Sequence, residues 1–327
     1  MRFGRPFPGR WFFAAVIETT AESLAARANR MKPVVRIAGV IVSLAAFAFV
    51  GRAIYRSLDG LQQQLVSPLF LFAVAGSVVA YAMILQVCGL AWHRLLTAID
   101  YPSLGIGQAL AIYGRTQIYK YLPGNVLHML GRYRLARSAG ASNKALAFAQ
   151  IAELLTILLA AAGISALLAR AVLANALQER GINDPTLVNI LIVCGIAVLT
   201  IGATMIVRQR MAGTGLRAFG AVAVALVFYA LFFIGSGLLL AALCKSISSA
   251  GGVPELIGIG AAAWLVGFVV PGAPGGLGVR ETVLIAGLSI AGLPAAEATA
   301  VALGYRFVTT VGDALVAMVI MLLEFKK

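Results

Sequence analysis

Glu153, Glu281, Arg306 and Asp313 are charged side chains set within or beside long apolar runs. A charge there is costly unless it finds a partner. Arg306 and Asp313 are seven residues apart, about two helical turns, so they share one helix face but lie too far apart for a direct bridge. Each is expected to look inward toward another partner, with Arg280–Glu281 and Glu153 as candidates. Two roles fit such a set: an ion-pair network that holds a helical bundle together, or a gating network that handles substrate or protons.

Two further stretches combine cations with breaks in the backbone. The first reads Tyr113-Gly114-Arg115-Thr116-Gln117-Ile118-Tyr119-Lys120-Tyr121-Leu122-Pro123-Gly124-Asn125, followed by His128, Gly131-Arg132 and Arg134. The second reads Val270-Pro271-Gly272-Ala273-Pro274-Gly275-Gly276-Leu277-Gly278-Val279-Arg280-Glu281. In apolar surroundings, backbone groups freed by Pro and Gly persist only where protein buries them or a wet cavity reaches them. A Pro-Gly-Gly-Leu-Gly run that ends one half-helix and starts another leaves amide N–H groups at a positive helix terminus. Such an end attracts an anion, most naturally phosphate. Arg115, Lys120, Arg132 and Arg280 add side-chain charge, and arginine suits bidentate phosphate contacts. With Tyr121, Asn125 and the amides around Gly275, Gly276 and Gly278, these residues form the candidate substrate-binding set. Tyr113, Tyr119 and Tyr121 are expected at the level of lipid head groups. Arg132 has a second reading, as part of a cytoplasmic anchor with Arg134 and Arg137. The glycine runs lack the Lys-Ser/Thr and the strand–turn–helix setting of a nucleotide loop. Cys88, Cys194, Cys244, His93 and His128 form no disulfide framework, metal spacing or triad, so neither cofactor nor metal is expected.

The elements that must hold these residues are membrane helices. Of 327 residues, 61% are hydrophobic and 12% charged, against about 45–50% and about 25% in a soluble domain. The mean hydropathy is +0.94. A soluble enzyme and a disordered chain are excluded. Residues 37–55, 68–92, 145–169, 186–207, 219–243 and 298–323 each offer the roughly 20 apolar residues that a spanning helix needs. Residues 104–137 and 254–290 are apolar but interrupted. The net charge of +14 sits at the ends of apolar runs, which fits a positive-inside bias and not nucleic-acid binding. The bias is consistent only if both interrupted stretches enter and leave on the same side. The expected fold is therefore an all-α polytopic bundle with about six spans and two re-entrant segments. An inverted repeat relates the two halves, about residues 34–170 and 186–325 of a single domain over 34–325. Residues 1–33 read as a basic, amphipathic segment on the cytoplasmic leaflet, and both termini are expected in the cytoplasm.

Tyr121-Leu122-Pro123-Gly124, Gly131-Arg132, Glu153 and Pro274-Gly275-Gly276-Leu277-Gly278-Val279-Arg280-Glu281 together resemble the lysylphosphatidylglycerol synthase transmembrane-region family. The resemblance covers about residues 35–325. It implies a flippase-like protein of a bacterial or archaeal plasma membrane that moves polar-headed lipids, anionic or zwitterionic, between leaflets. It implies a transporter in place of an enzyme, since the aminoacyl-transferase half of the bifunctional relatives has no counterpart after Leu323. The alternative is an accessory, scaffold or lipid-modifying subunit beside a soluble or membrane glycosyltransferase.

Overall fold

The computed structural model describes residues 67–99, 104–121, 127–178, 215–270 and 274–324, together with Arg52 and Tyr55. The expected spans over 37–55 and 186–207, the segment 1–33 and the candidate Asn125 lie outside them. Helices α1 (Pro68–Thr97), α2 (Ile106–Gln117), α3 (Leu127–Ser138), α4 (Asn143–Leu168) and α5 (Arg170–Gln178) come first. They are followed by α6 (Gly215–Lys245), α7 (Val253–Val269), α8 (Val279–Ile290) and α9 (Ala295–Glu324). No strand occurs among the described residues. Short 3-10 turns, Ile118–Tyr121 and Pro274–Gly276, lie between α2 and α3 and between α7 and α8. Both interrupted stretches therefore fold as helix, break, helix.

Helices α1, α4, α6 and α9 are each long and apolar enough to cross a bilayer. Their local signals are plain. Pro68 opens α1, where its missing N–H costs no hydrogen bond. Ser142 caps α4 by accepting from the Ala145 N–H at 3.2 Å. Only 28–33% of each spanning window is buried, and large apolar side chains such as Phe72, Leu167 and Phe219 point outward. Arg132, Glu153, Glu281 and Asp313, by contrast, are buried. An apolar exterior over a charged interior is what a hydrocarbon solvent selects. The chain is a helical, membrane-embedded protein.

Helices α1 and α6 pack along their lengths, α4 and α7 flank α6, and α9 lies against α1, α2 and α8. Small residues allow the close approaches: a Cβ at Gly237 of α6 would press on the Ile257 backbone of α7, and one at Gly312 of α9 would press on the Tyr81 ring of α1. Helix α7 stops because Val270 precedes Pro271, which drives Val270 into extended backbone at φ −70°, ψ 115°. The chain then turns through Gly275 and Gly276 at φ 58° and 73°, left-handed conformations that side chains disfavour. Helix α8 resumes from Gly278 and doubles back to pack on α7.

Candidate functional site

The two breaks touch one another inside the bundle. Tyr121, at the end of the first turn, lies where a Cβ on Gly275 of the second would stand, 3.0 Å from its ring. Helix α9 holds both. Its Asp313, fully buried, accepts from Lys120 Nζ and from the Tyr121 hydroxyl, each at 2.6 Å. Two turns earlier, Arg306 donates through Nη1 to the Gly275 carbonyl at 3.0 Å, and its Nε lies 3.1 Å from Glu281 of α8. The Tyr121 ring is flanked by both cations, with Lys120 and Arg306 at 5.5 and 5.4 Å from its centroid.

A second ion pair lies deeper in the first half of the chain. Arg132 of α3, 1% exposed, reaches Glu153 of α4 at 2.5 Å. The other Glu153 oxygen accepts from the Tyr113 hydroxyl at 3.2 Å. The guanidinium lies over the Tyr113 ring at 4.0 Å and near the Trp92 ring at 5.4 Å. All polar atoms of this pair lie within protein, which lets a charge survive in the bundle.

Between these groups is a cavity of about 80 Å³, lined by Lys120, Arg132, Glu153, Gly275, Gly276 and Arg280 among others. A smaller one of about 20 Å³ adjoins it through Arg280 and holds Glu281 and Arg306. Arg280 stands on the shared wall. It lies 5.6 Å from the centroid of Trp264, and a Cβ on Gly267 or Gly276 would collide with its side chain. Among the described arginines that line the two cavities it is the one with no carboxylate within ion-pair distance. Its Nε is shielded and has no hydrogen-bond partner among the described residues.

The structure thus brings together Lys120, Tyr121, Arg132, Glu153, Gly275, Gly276, Arg280, Glu281, Arg306 and Asp313. It corrects several expectations. Arg115 is not at the cavity; it pairs with Glu324 at 2.9 Å on the half-exposed far end of α9. The reason is helical phase: Tyr113 and Gln117 are buried on one face of α2, and Arg115 stands two positions from each, on the other. Gly278 caps α8 and does not line the cavity. Arg132 turns inward and is not a surface anchor, whereas Arg134 and Arg137 are exposed. Tyr113 and Tyr121 point into the bundle and donate to buried carboxylates. Asp313 takes Lys120, and not Arg280, as its cation.

Trp92 and Trp264 escaped the sequence reading. Trp264 and Phe268, one turn apart just before the Pro-Gly break, stack at 5.0 Å and line the cavity beside Arg280. An aromatic pair at helical spacing ahead of a break is the signal that pointed there. Compared with family models and with curated proteins, the chain matches none.

Proposed function

We propose that the chain is a lipid transporter that moves a lipid with a polar, phosphate-bearing head group, or a glycolipid, between the leaflets of a bacterial or archaeal plasma membrane. The observation that carries this reading is the charged cavity formed where two helix breaks meet inside a bundle with an apolar exterior. Such a cavity offers a head group polar surroundings while its acyl or prenyl tails stay in hydrocarbon. In this reading the two helix–break–helix stretches are re-entrant, belong to inverted halves, and sit in a polytopic bundle with both termini in the cytoplasm. The likeness of the Pro-Gly-Gly-Leu-Gly-Val-Arg-Glu run to the lysylphosphatidylglycerol synthase transmembrane region supports the same class of activity.

The ion pairs supply the gate. Lys120–Asp313 and Arg306–Glu281 tie the two breaks to α9. An entering head group competes for Lys120 and Arg306, and the breaks separate as those bonds are exchanged. The test is reconstitution in liposomes carrying fluorescent lipids of several classes: phosphatidylglycerol, phosphatidylethanolamine, a prenyl-phosphate sugar and a phosphate-free glycolipid. A membrane-impermeant quencher should reach inner-leaflet probe of at least one phosphate-bearing class faster than in protein-free vesicles. Equal rates for every class in both preparations would sink the reading.

A further inference from the structure

We infer that the cavity is built for one singly charged phosphodiester, held by Arg280; this rests on the transport reading above and names the head-group chemistry. The argument begins with a charge balance. The charged residues lining the two adjoining cavities are Lys120, Arg132, Arg280, Arg306, Glu153 and Glu281, and Asp313 neutralises Lys120. Lys120, Arg132 and Arg306 each have a carboxylate within ion-pair distance. Arg280 has none among the described residues, so among them one positive charge is left over. The undescribed residues of the two breaks, 122–126 and 271–273, contain no ionisable side chain and leave this balance unchanged. The balance is taken over the Lys, Arg, Asp and Glu side chains; His128 also lines the larger cavity.

A buried cation is stable when an anion of equal charge meets it. A phosphodiester carries one negative charge. A phosphomonoester carries about −1.5 to −2 at neutral pH and overfills the site. The geometry agrees. Packing against Trp264 and across Gly267 and Gly276 holds the Arg280 side chain on the wall shared by the two cavities, and a guanidinium fork suits the bidentate geometry of a phosphodiester. The 80 Å³ cavity has room for a phosphate group with its bound water. Arg280 is also the second residue of α8, whose first N–H groups have no acceptor within the helix. The same chemistry is carried by a lipid head group and by a free soluble phosphodiester.

Binding to the purified full chain in detergent tests this without requiring transport. The unfolding temperature is followed against added dihexanoyl-phosphatidylglycerol, dihexanoyl-phosphatidic acid, dihexanoylglycerol and soluble glycerophosphoglycerol, since a ligand of the native state raises it. The phosphatidylglycerol should bind about tenfold or more tighter than either other lipid. R280Q should lose that advantage while keeping the unfolding temperature measured without additives, and R280K should keep part of it. E281Q, or D313N if that variant does not fold, leaves two positive charges over and should shift preference toward phosphatidic acid. Stabilisation by the lipid alone assigns a head group, and stabilisation by glycerophosphoglycerol as well assigns the phosphodiester itself; both support the inference when R280Q abolishes them. Native protein that prefers phosphatidic acid, or R280Q that binds phosphatidylglycerol undiminished, overturns it. Scrambling that ignores Arg280 removes this inference alone, and Arg280-dependent binding without scrambling removes only the transport reading.

Discussion

The two broken stretches use the same device with opposite polarity. After the first break, the half-helix α3 carries the cation, Arg132, and the following span α4 carries the acid, Glu153. After the second, the half-helix α8 carries the acid, Glu281, and the following span α9 carries the cation, Arg306. Each pair clamps a half-helix to the next span. The difference lies in the breaks themselves: α4 holds neither turn, whereas α9 holds both, through Asp313 to Lys120 and Tyr121 and through Arg306 to Gly275. The cations also differ: the Arg132 side chain is 2% exposed beside Glu153 at 8%, while Lys120 and Arg306 keep 18% and 12% beside acids at 0% and 5%. A pair confined to one half fixes the bundle; in the transport reading, the set that spans both breaks, with its more open cations, is the one that exchanges partners.

The comparison breaks most visibly at the Arg132–Glu153 pair. E153A strands Arg132 in the bundle and should destabilise the protein by about 3–5 kcal/mol, the cost of an orphaned buried charge. Denaturant unfolding in detergent measures it. Replacing both partners together, R132M with E153L, should recover most of that loss, because two apolar side chains remove the unmet charge. If the double variant is as unstable as the single one, the pair has a role beyond packing and the contrast with α9 fails.

Next in size is D313N. It removes the acid that joins α9 to the first break, so Lys120 loses its counter-charge and the Tyr121 bond weakens. Because Lys120 is partly open to the cavity, the stability loss should be smaller, about 1.5–3 kcal/mol. The effect on lipid scrambling should exceed that of E153A measured per folded molecule. Equal scrambling in D313N and native protein would show that α9 is a strut and not a gate.

How much of this was legible beforehand follows from which forces are local. The breaks were readable because a residue before proline and a run of glycines act on the backbone at their own positions, as Val270 and Gly275–Gly276 do. Four of the six expected spans were readable from composition as helices long and apolar enough to cross a bilayer, and Glu281 was named as a partner for Arg306 from the need to satisfy a buried charge. The partner of Asp313 was not readable, since Tyr121 lies 192 residues away and nothing in local spacing carries that distance. Arg115 and Lys120 looked equivalent as cations of one motif, and only the phase of α2 and the turn that ends it separates them. The carboxylate partners of the tyrosines were not readable for a related reason: an amphipathic ring suits a membrane interface and a buried carboxylate equally well.

Two smaller changes sharpen the second break and the first. G276A puts a methyl group where φ is 73° and where the Arg280 side chain passes at 2.8 Å. The backbone strain should cost about 1–3 kcal/mol, and the displaced arginine should weaken phosphatidylglycerol binding by more than stability alone predicts. Y121F keeps the ring against Gly275 but removes the hydroxyl that bonds Asp313, for about 1 kcal/mol. Scrambling measured at several temperatures should rise modestly in Y121F, since one restraint on the break is gone while Lys120 remains paired. A rate below native would place Tyr121 among the residues that bind the head group.

The smallest expected effect belongs to R115A, and its smallness is the point. Arg115 shares a sequence motif with Lys120, yet its ion pair with Glu324 is 37% and 48% exposed. Open pairs of this kind contribute about 0–1 kcal/mol, and salt screens them further. R115A should therefore leave unfolding, scrambling and phosphatidylglycerol binding within error of native. A K120M variant, which has lost the cation five residues on, should be impaired in both functional assays. A tenfold loss of binding in R115A would mean that the face of α2 turned away from the cavity also meets the lipid, and the head-group path would have to be redrawn along the outside of α2 toward the end of α9.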